Sequence, residues 1–279
     1  MHEFHETSLL ERACVGAFLM FAVPVLTCKR EAGSVPQAAG GREGWQSSVS
    51  FAETTCSAAP SFSARTMLPV PRAVVGIGNA EGARDERPRH EVRIGEFALD
   101  ATEVTVGDFA CCVRAGRCAE PQSGRSCNWG KADRAQHPVN CVDWHQARDY
   151  CGWVGARLPT EEEWEYAASG GDGRKYPWGN EEPQDSLCWR RREHGLGTCE
   201  VGVHAGDRSP FGVMDMAGNV KEWTASGYSK DYSSARSPTQ FVIRGGSWGI
   251  ELSSIIRVTL RDAAGENQST VYTGIRCAR

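Results

Sequence analysis

The pentapeptide Gly245-Gly-Ser-Trp-Gly249 carries the sharpest chemical implication in the chain. Gly-x-Ser-x-Gly is the turn that exposes a nucleophilic serine in one hydrolase fold, where the general-base histidine follows the serine along the chain. Here the last histidine is His204, before Ser247, so that arrangement is excluded. The surrounding stretch, FVIRGGSWGIELSSIIRVTLRDAAGE (Phe241 to Glu266), has a strand-like apolar start, a Gly-Gly turn and a buried-looking tryptophan. Yet it holds no cysteine and no histidine, although the chain carries 12 and 7. It is shaped like the floor of a site without the usual reagents.

Other chemistry-bearing residues are dispersed. His90, His137, His145, His194 and His204 form no His-x-x-x-His pair, so no helical metal motif is present. Gly76, Gly78 and Gly82 in VVGIGNAEG are not followed by a helix signal, which argues for a turn beside a strand rather than a dinucleotide loop. No two cysteines have Cys-x-x-Cys spacing, against a zinc ribbon or a thioredoxin-type site. Dispersed cysteines imply structural disulfides and an oxidising compartment. The local clusters are Cys111, Cys112 and Cys118; Cys127 and Cys141; and Cys188 and Cys199. The spacing favours Cys127–Cys141 and Cys188–Cys199, although order along a chain does not determine connectivity.

The elements that must position these residues follow from composition and punctuation. The hydrophobic fraction is 40%, enough for a core, and the net charge of −4 has no basic patch of the kind that neutralises nucleic-acid phosphates. Arg12 to Cys28, RACVGAFLMFAVPVLTC, is an apolar run too short to span a membrane and resembles a secretion signal. It is either a lipoprotein signal, with Cys28 the lipidated residue, or a plain cleaved signal. Ala32 to Ala64 is rich in Ser, Ala and Gly without apolar period and reads as a tether. The expected organisation is a signal over 1–28, a flexible linker over 29–66 and a globular domain over 67–279.

Within that domain, Thr105 and Asp108 mark the start of a helix that stops at Gly116. Trp144, Ala147, Cys151 and Val154 describe one apolar helical face. Thr160 and Glu163 form a capping box, with acids against the helix dipole, inward-facing Trp164 and a stop at Gly170. After Gly171 the chain is turns and short strands holding Trp178, Trp189, Trp223 and Trp248, an α+β pattern.

Six ordered blocks, ALDATEVTVGDF, HPVNCVDWHQARDYCGWVGARLPTEEEWEYAASGG, YPWGNEEP, SPFGVMDMAGNVKEWTAS, VIRGGSWG and GIRCAR, resemble the formylglycine-generating enzyme, or sulfatase-modifying factor, domain family. The resemblance runs from about Arg72 to Arg279 and implies a C-type-lectin-like fold low in regular secondary structure. Enzymes of the family oxidise a sulfatase cysteine to formylglycine with oxygen and a copper ion held by two cysteines. The matching positions here are Ile250 and Ile255, which offer no lone pair to soft Cu(I), so copper is not expected. The resemblance also implies a Cys151–Cys277 disulfide, whereas the positions of a second family bridge are Ala168 and Leu260. It implies a structural calcium held by Asp215, Gly218, Val220 and Glu222, a loop able to combine carboxylates and carbonyls. A second family calcium site falls between Ser186 and Asp207, without assignable ligands.

The functional expectation is an exported, non-catalytic ligand-binding or structural module, in a bacterial cell envelope or outside the cell. Its candidate ligand face is Ser247, Trp248, Arg257 and Arg261, meeting an unidentified peptide, protein or glycan. Nucleic acid is not an expected partner, and the membrane is one only through a lipid on Cys28. The alternative is a formylglycine-generating-type oxidoreductase that modifies a cysteine of a sulfatase or another envelope substrate.

Overall fold

A computed structural model describes Cys56 and residues 66–184, 187–189 and 197–279. The expected signal, Cys28 included, lies outside the described residues. Two antiparallel ribbons open the domain. Strand β1 (Met67–Val70) pairs with β4 (Phe97–Asp100), and β2 (Ala73–Ile77) pairs with β3 (His90–Ile94). Three helices follow: α1 (Val106–Arg114), α2 (Trp144–Trp153) and α3 (Glu161–Ser169). A mixed sheet closes the chain in the order β7-β6-β5-β8, from β5 (Lys221–Gly227), β6 (Gln240–Arg244), β7 (Asp262–Gly265) and β8 (Thr273–Gly274). The result is an α+β fold with modest regular structure.

The helix punctuation acts as the residue types dictate. Thr105, Asp143 and Thr160 each accept a hydrogen bond from the third helical amide, and the side chains of Asp108, Gln146 and Glu163 each accept one from the cap residue's own amide. Gly170 ends α3 in the left-handed conformation at φ 69°. On α2 the buried side chains are Ala147, Tyr150 and Cys151, while Trp144 stacks on Phe241 with ring centroids 4.0 Å apart.

With so little sheet, the core is divided among side chains. One cluster gathers Phe109, Tyr150, Trp223 and Ile275; a second gathers Leu99, Trp164, Met216 and Val258. A third, smaller cluster joins Tyr176, Leu187, Trp189, Ala217 and Ile256. Buried Arg–Glu pairs run between the clusters: Arg244 with Glu165, Arg261 with Glu161 and Arg276 with Glu222. The first turn of α3 carries the expected acids, Glu161, Glu162 and Glu163, at the helix N-terminus. Glu161 and, one turn on, Glu165 also turn inward, where Arg261 and Arg244 meet them.

Five disulfides fasten this arrangement: Cys56–Cys111, Cys112–Cys118, Cys127–Cys141, Cys151–Cys277 and Cys188–Cys199. Cys56 corrects the expected linker, since its bond to Cys111 fixes that point of the segment to α1. Cys151–Cys277 spans 126 residues and joins α2 to the chain end. Replacing both cysteines by alanine is expected to lower unfolding stability by about 2–5 kcal/mol in guanidinium titration, because closing so long a loop restricts the unfolded chain most. An unchanged midpoint would show that the ends are held by packing alone.

Candidate functional site

The Gly-Gly turn after β6 places the stretch that was expected to carry a site. Gly246 has φ 73°, and a Cβ there would lie 2.6 Å from the Ile256 side chain, so only glycine fits. The turn drives Ser247 and Trp248 inward. The Trp248 amide donates to the Asn219 carbonyl at 2.9 Å, its indole N–H donates to the Val271 carbonyl at 3.2 Å, and its ring leans on Tyr272. Ile250 then packs with Trp178 against the Tyr176–Leu187–Trp189–Ala217–Ile256 cluster. Ile255 sits in a 3-10 turn, its amide donating to the Leu252 carbonyl at 3.0 Å. Of the two residues expected at the family's thiol positions, Ile250 is thus packed on an apolar cluster, and Ile255 is half-buried in the turn beside it.

This placement corrects the expected ligand face. Ser247, Trp248 and Arg261 are only 1%, 3% and 4% exposed. Arg261 is spent inside the protein on Glu161, on the Asp85 and Ser229 carbonyls and on the rings of Tyr228 and Tyr232. Arg257 grips buried Glu86 with both terminal nitrogens, at 3.0 and 2.7 Å. What the loop shows to solvent is Leu252, 62% exposed, between Glu251 and Ser254.

The 215–222 loop is built to turn tightly. Asp215 (φ 61°) and Asn219 (φ 47°) both adopt left-handed backbone, which their short polar side chains tolerate. Asn219 ties the loop to its surroundings, donating to Glu103 Oε2 at 3.0 Å and accepting from the Cys199 amide at 3.1 Å. The Val220 amide donates to Glu103 Oε1 at 3.2 Å. Asp215 accepts from the Gly202 amide at 2.6 Å, and its own amide donates to Asp207 Oδ2 at 3.0 Å. Glu222 accepts from Arg276 Nη2 at 2.7 Å and from the Trp164 indole at 2.6 Å.

Four buried carboxylates, Glu103, Asp207, Asp215 and Glu222, thus share a region with the buried guanidinium of Arg276. The acid excess has a clear electrostatic signature. Burial, then the charge of Asp215, pushes the Asp207 carboxyl up to about 8. The same two causes raise Glu103 well above the usual carboxylate range, and burial raises Asp215. Asp207 Oδ1 is buried without a donor among the described residues. An under-neutralised set of oxygens is what a hard cation satisfies, so the residues fit calcium at the Asp215 end. Glu222 fits less well, because both its oxygens already accept from Arg276 and one also from Trp164. Glu103 and Asp207 were not foreseen, since nothing local marks either as buried; Asp207 does lie in the stretch to which a second calcium site was assigned.

Among the described residues one soft-ligand group comes together: Cys188, Cys199 and His204 have ligand atoms within 4.8 Å of one another. The two sulfurs are bonded to each other, so neither is a free thiolate.

The sulfatase-modifying factor enzyme 1-like domain family matches residues 52–279. The chain belongs to this family. The match begins upstream of Met67 and takes in Cys56. An inactive Cα-formylglycine-generating enzyme 2 of Bos taurus is 31% identical over 264 residues, covering 76% of this chain and 86% of the relative. A formylglycine-generating enzyme of Streptomyces coelicolor is 30% identical, covering 77% and 90%. Among solved structures, PvdO from Pseudomonas aeruginosa superposes with a TM-score of 0.63 at 25% identity, covering 76% of this chain and 93% of that one.

The raised carboxyl groups give a signed pH dependence. Between about pH 4 and 8 the folded state keeps a proton on Asp207 that the unfolded chain has released, so stability falls as pH rises through this window. Thermal melts in chelator are expected to show Tm decreasing from pH 5 to pH 8, with a flatter profile in Asp207→Asn. A Tm that rises over that range would refute the buried acid excess. Glu222→Gln, which leaves Arg276 buried without its carboxylate, is expected to cost about 3–5 kcal/mol in denaturant unfolding.

Proposed function

We propose that this protein is an exported, non-catalytic member of its family that works as a binding or structural module in a cell envelope or outside the cell. The observation that carries the reading is the Ile250 and Ile255 pair at the thiol positions, with Ile250 packed into an apolar cluster. Two aliphatic side chains can neither hold Cu(I) nor be oxidised. The name of the Bos taurus relative, an inactive enzyme, supports the same reading. Ten described cysteines in five bridges support an oxidising compartment, where such bonds persist. A disulfide-pinned frame can still present a recognition surface after its chemistry has gone.

The decisive assay incubates purified protein with Cu(I) and a Cys-x-Pro-x-Arg peptide and follows aldehyde formation by mass spectrometry. No aldehyde and no stoichiometric Cu(I) uptake are expected. Turnover above a copper-only blank would establish the oxidoreductase reading suggested by the Streptomyces coelicolor relative.

Calcium is the ion that the Asp215 loop and its acidic neighbours would hold, in a structural role. Saturating calcium is expected to raise Tm by about 5–10 °C over chelator, given about 2.7 kcal/mol at a hundredfold excess over Kd. The gain is expected to shrink in Asp215→Asn. Equal melts with calcium and with chelator would remove calcium from the proposal.

A further inference from the structure

The geometry points to an oxyanion-binding site in the cleft between the Gly76–Asn79 turn and residues 257–259, taking a small, highly oxygenated ligand that carries a carboxylate, sulfate or phosphate. This deepens the binding-module reading, on which it rests, and moves the ligand site away from the buried Trp248. The cavity is about 490 Å³, the size of a small-molecule site. Four cationic side chains line it, Arg89, Arg174, Lys175 and Arg257, in a chain whose net charge is −4. In the lining Glu165 and Asp172 stand against them, Glu165 already paired with Arg244 at 2.8 Å. Behind the lining Glu86 pairs with Arg257 and Glu182 with Lys175, which leaves Arg89 as the cation with no carboxylate partner among the described residues.

The cations are held in place before any ligand arrives. Arg257 is clamped by Glu86 and donates to the Ser254 carbonyl at 2.8 Å. Arg174 lies along Asp172, with Nη2 2.6 Å from Oδ2, and donates to the Pro177 carbonyl at 3.1 Å. Arg89 lies flat on Gly76: a Cβ on that glycine would come within 2.5 Å of Nη2. Arg89 is exposed and has no carboxylate partner among the described residues. Planar guanidinium groups fixed around a cleft are suited to two-pronged recognition of an oxyanion, and prior ordering lowers the entropic cost of binding. Val258 is the one aliphatic side chain of the described lining, which disfavours a lipid or an aromatic body. The glycine-rich stretch VVGIGNAEG thereby acquires a role: Gly76 keeps the cleft wall thin enough for Arg89 to lie against it, and Gly78, at φ 85°, fits closely against the Glu86 and Pro88 carbonyls beside it.

The test titrates folded protein at low ionic strength with sodium sulfate, inorganic phosphate and citrate, by calorimetry and by amide chemical shifts. At least one probe is expected to bind one-to-one with a Kd tighter than about 1 mM, shifting the amides of Gly76, Gly78 and Thr259. The preferred probe tells the carboxylate source from the sulfate and phosphate ones. Arg89→Glu, on an exposed side chain, is expected to weaken binding at least tenfold, whereas Arg148→Glu on α2 makes the same change of net charge and is expected to leave it intact. No saturable binding of any probe, or equal weakening by the two variants, would overturn the site. These failures are distinct from failure of the binding-module reading: aldehyde formation on the thiol peptide would end that reading without altering anion affinity.

Discussion

The ion pair between Glu222 and Arg276 is the contact on which the rest of the domain depends. Glu222 lies on β5, one of the two inner strands of the sheet, and Arg276 belongs to the last four residues of the chain. Around them the Trp164 indole, the Asp100 carbonyl and the Met214 carbonyl complete the hydrogen bonding. One buried contact therefore collects α3, β4, the 215–222 loop and the C-terminal segment. Removing two charges from water is costly, and only full satisfaction of both groups makes such a pair tolerable. The neighbouring Cys277 adds a covalent tie to α2.

The same economy recurs wherever regular structure is short. Arg244, Arg257 and Arg261 each reach a buried glutamate, so the segment 257–261 is fixed to α3 and to the 84–86 turn by charge. Those arginines position the backbone; Arg257 also borders the cleft described above. The acidic cluster shows the opposite balance. There the carboxylates outnumber the guanidinium, and the protonation equilibrium carries the difference. This is the region to which the proposed calcium is assigned.

Family chemistry and present architecture separate at one place. The Gly-Gly turn, Ser247 and Trp248 keep the form of a catalytic floor, but Ile250 makes an apolar wall with Trp178 and Ile256. The nearest gathering of soft atoms, Cys188 and Cys199 beside His204, is a closed disulfide. The binding role proposed above therefore rests on surfaces away from that buried floor, the arginine-lined cleft being the one proposed.

Several features were legible in the residues alone. The three helices were, because Thr105, Thr160 and Gly170 are local signals whose hydrogen bonds stay within a few residues. The expectation that the thiol pair is missing also came from residue type alone, since isoleucine has no sulfur wherever it sits. The Cys127–Cys141 and Cys188–Cys199 pairings join residues close in sequence. The inward turn of Glu161 and Glu165 was not legible, because an acid near a helix start looks the same whether it meets solvent or an arginine about a hundred residues away, as Glu161 meets Arg261. For the same reason Arg257 and Arg261 looked like a surface, and Glu103 and Asp207 looked like nothing. Local order follows from short-range bonds written in neighbouring residues. The partner of a buried charge is chosen only when the whole chain closes around it.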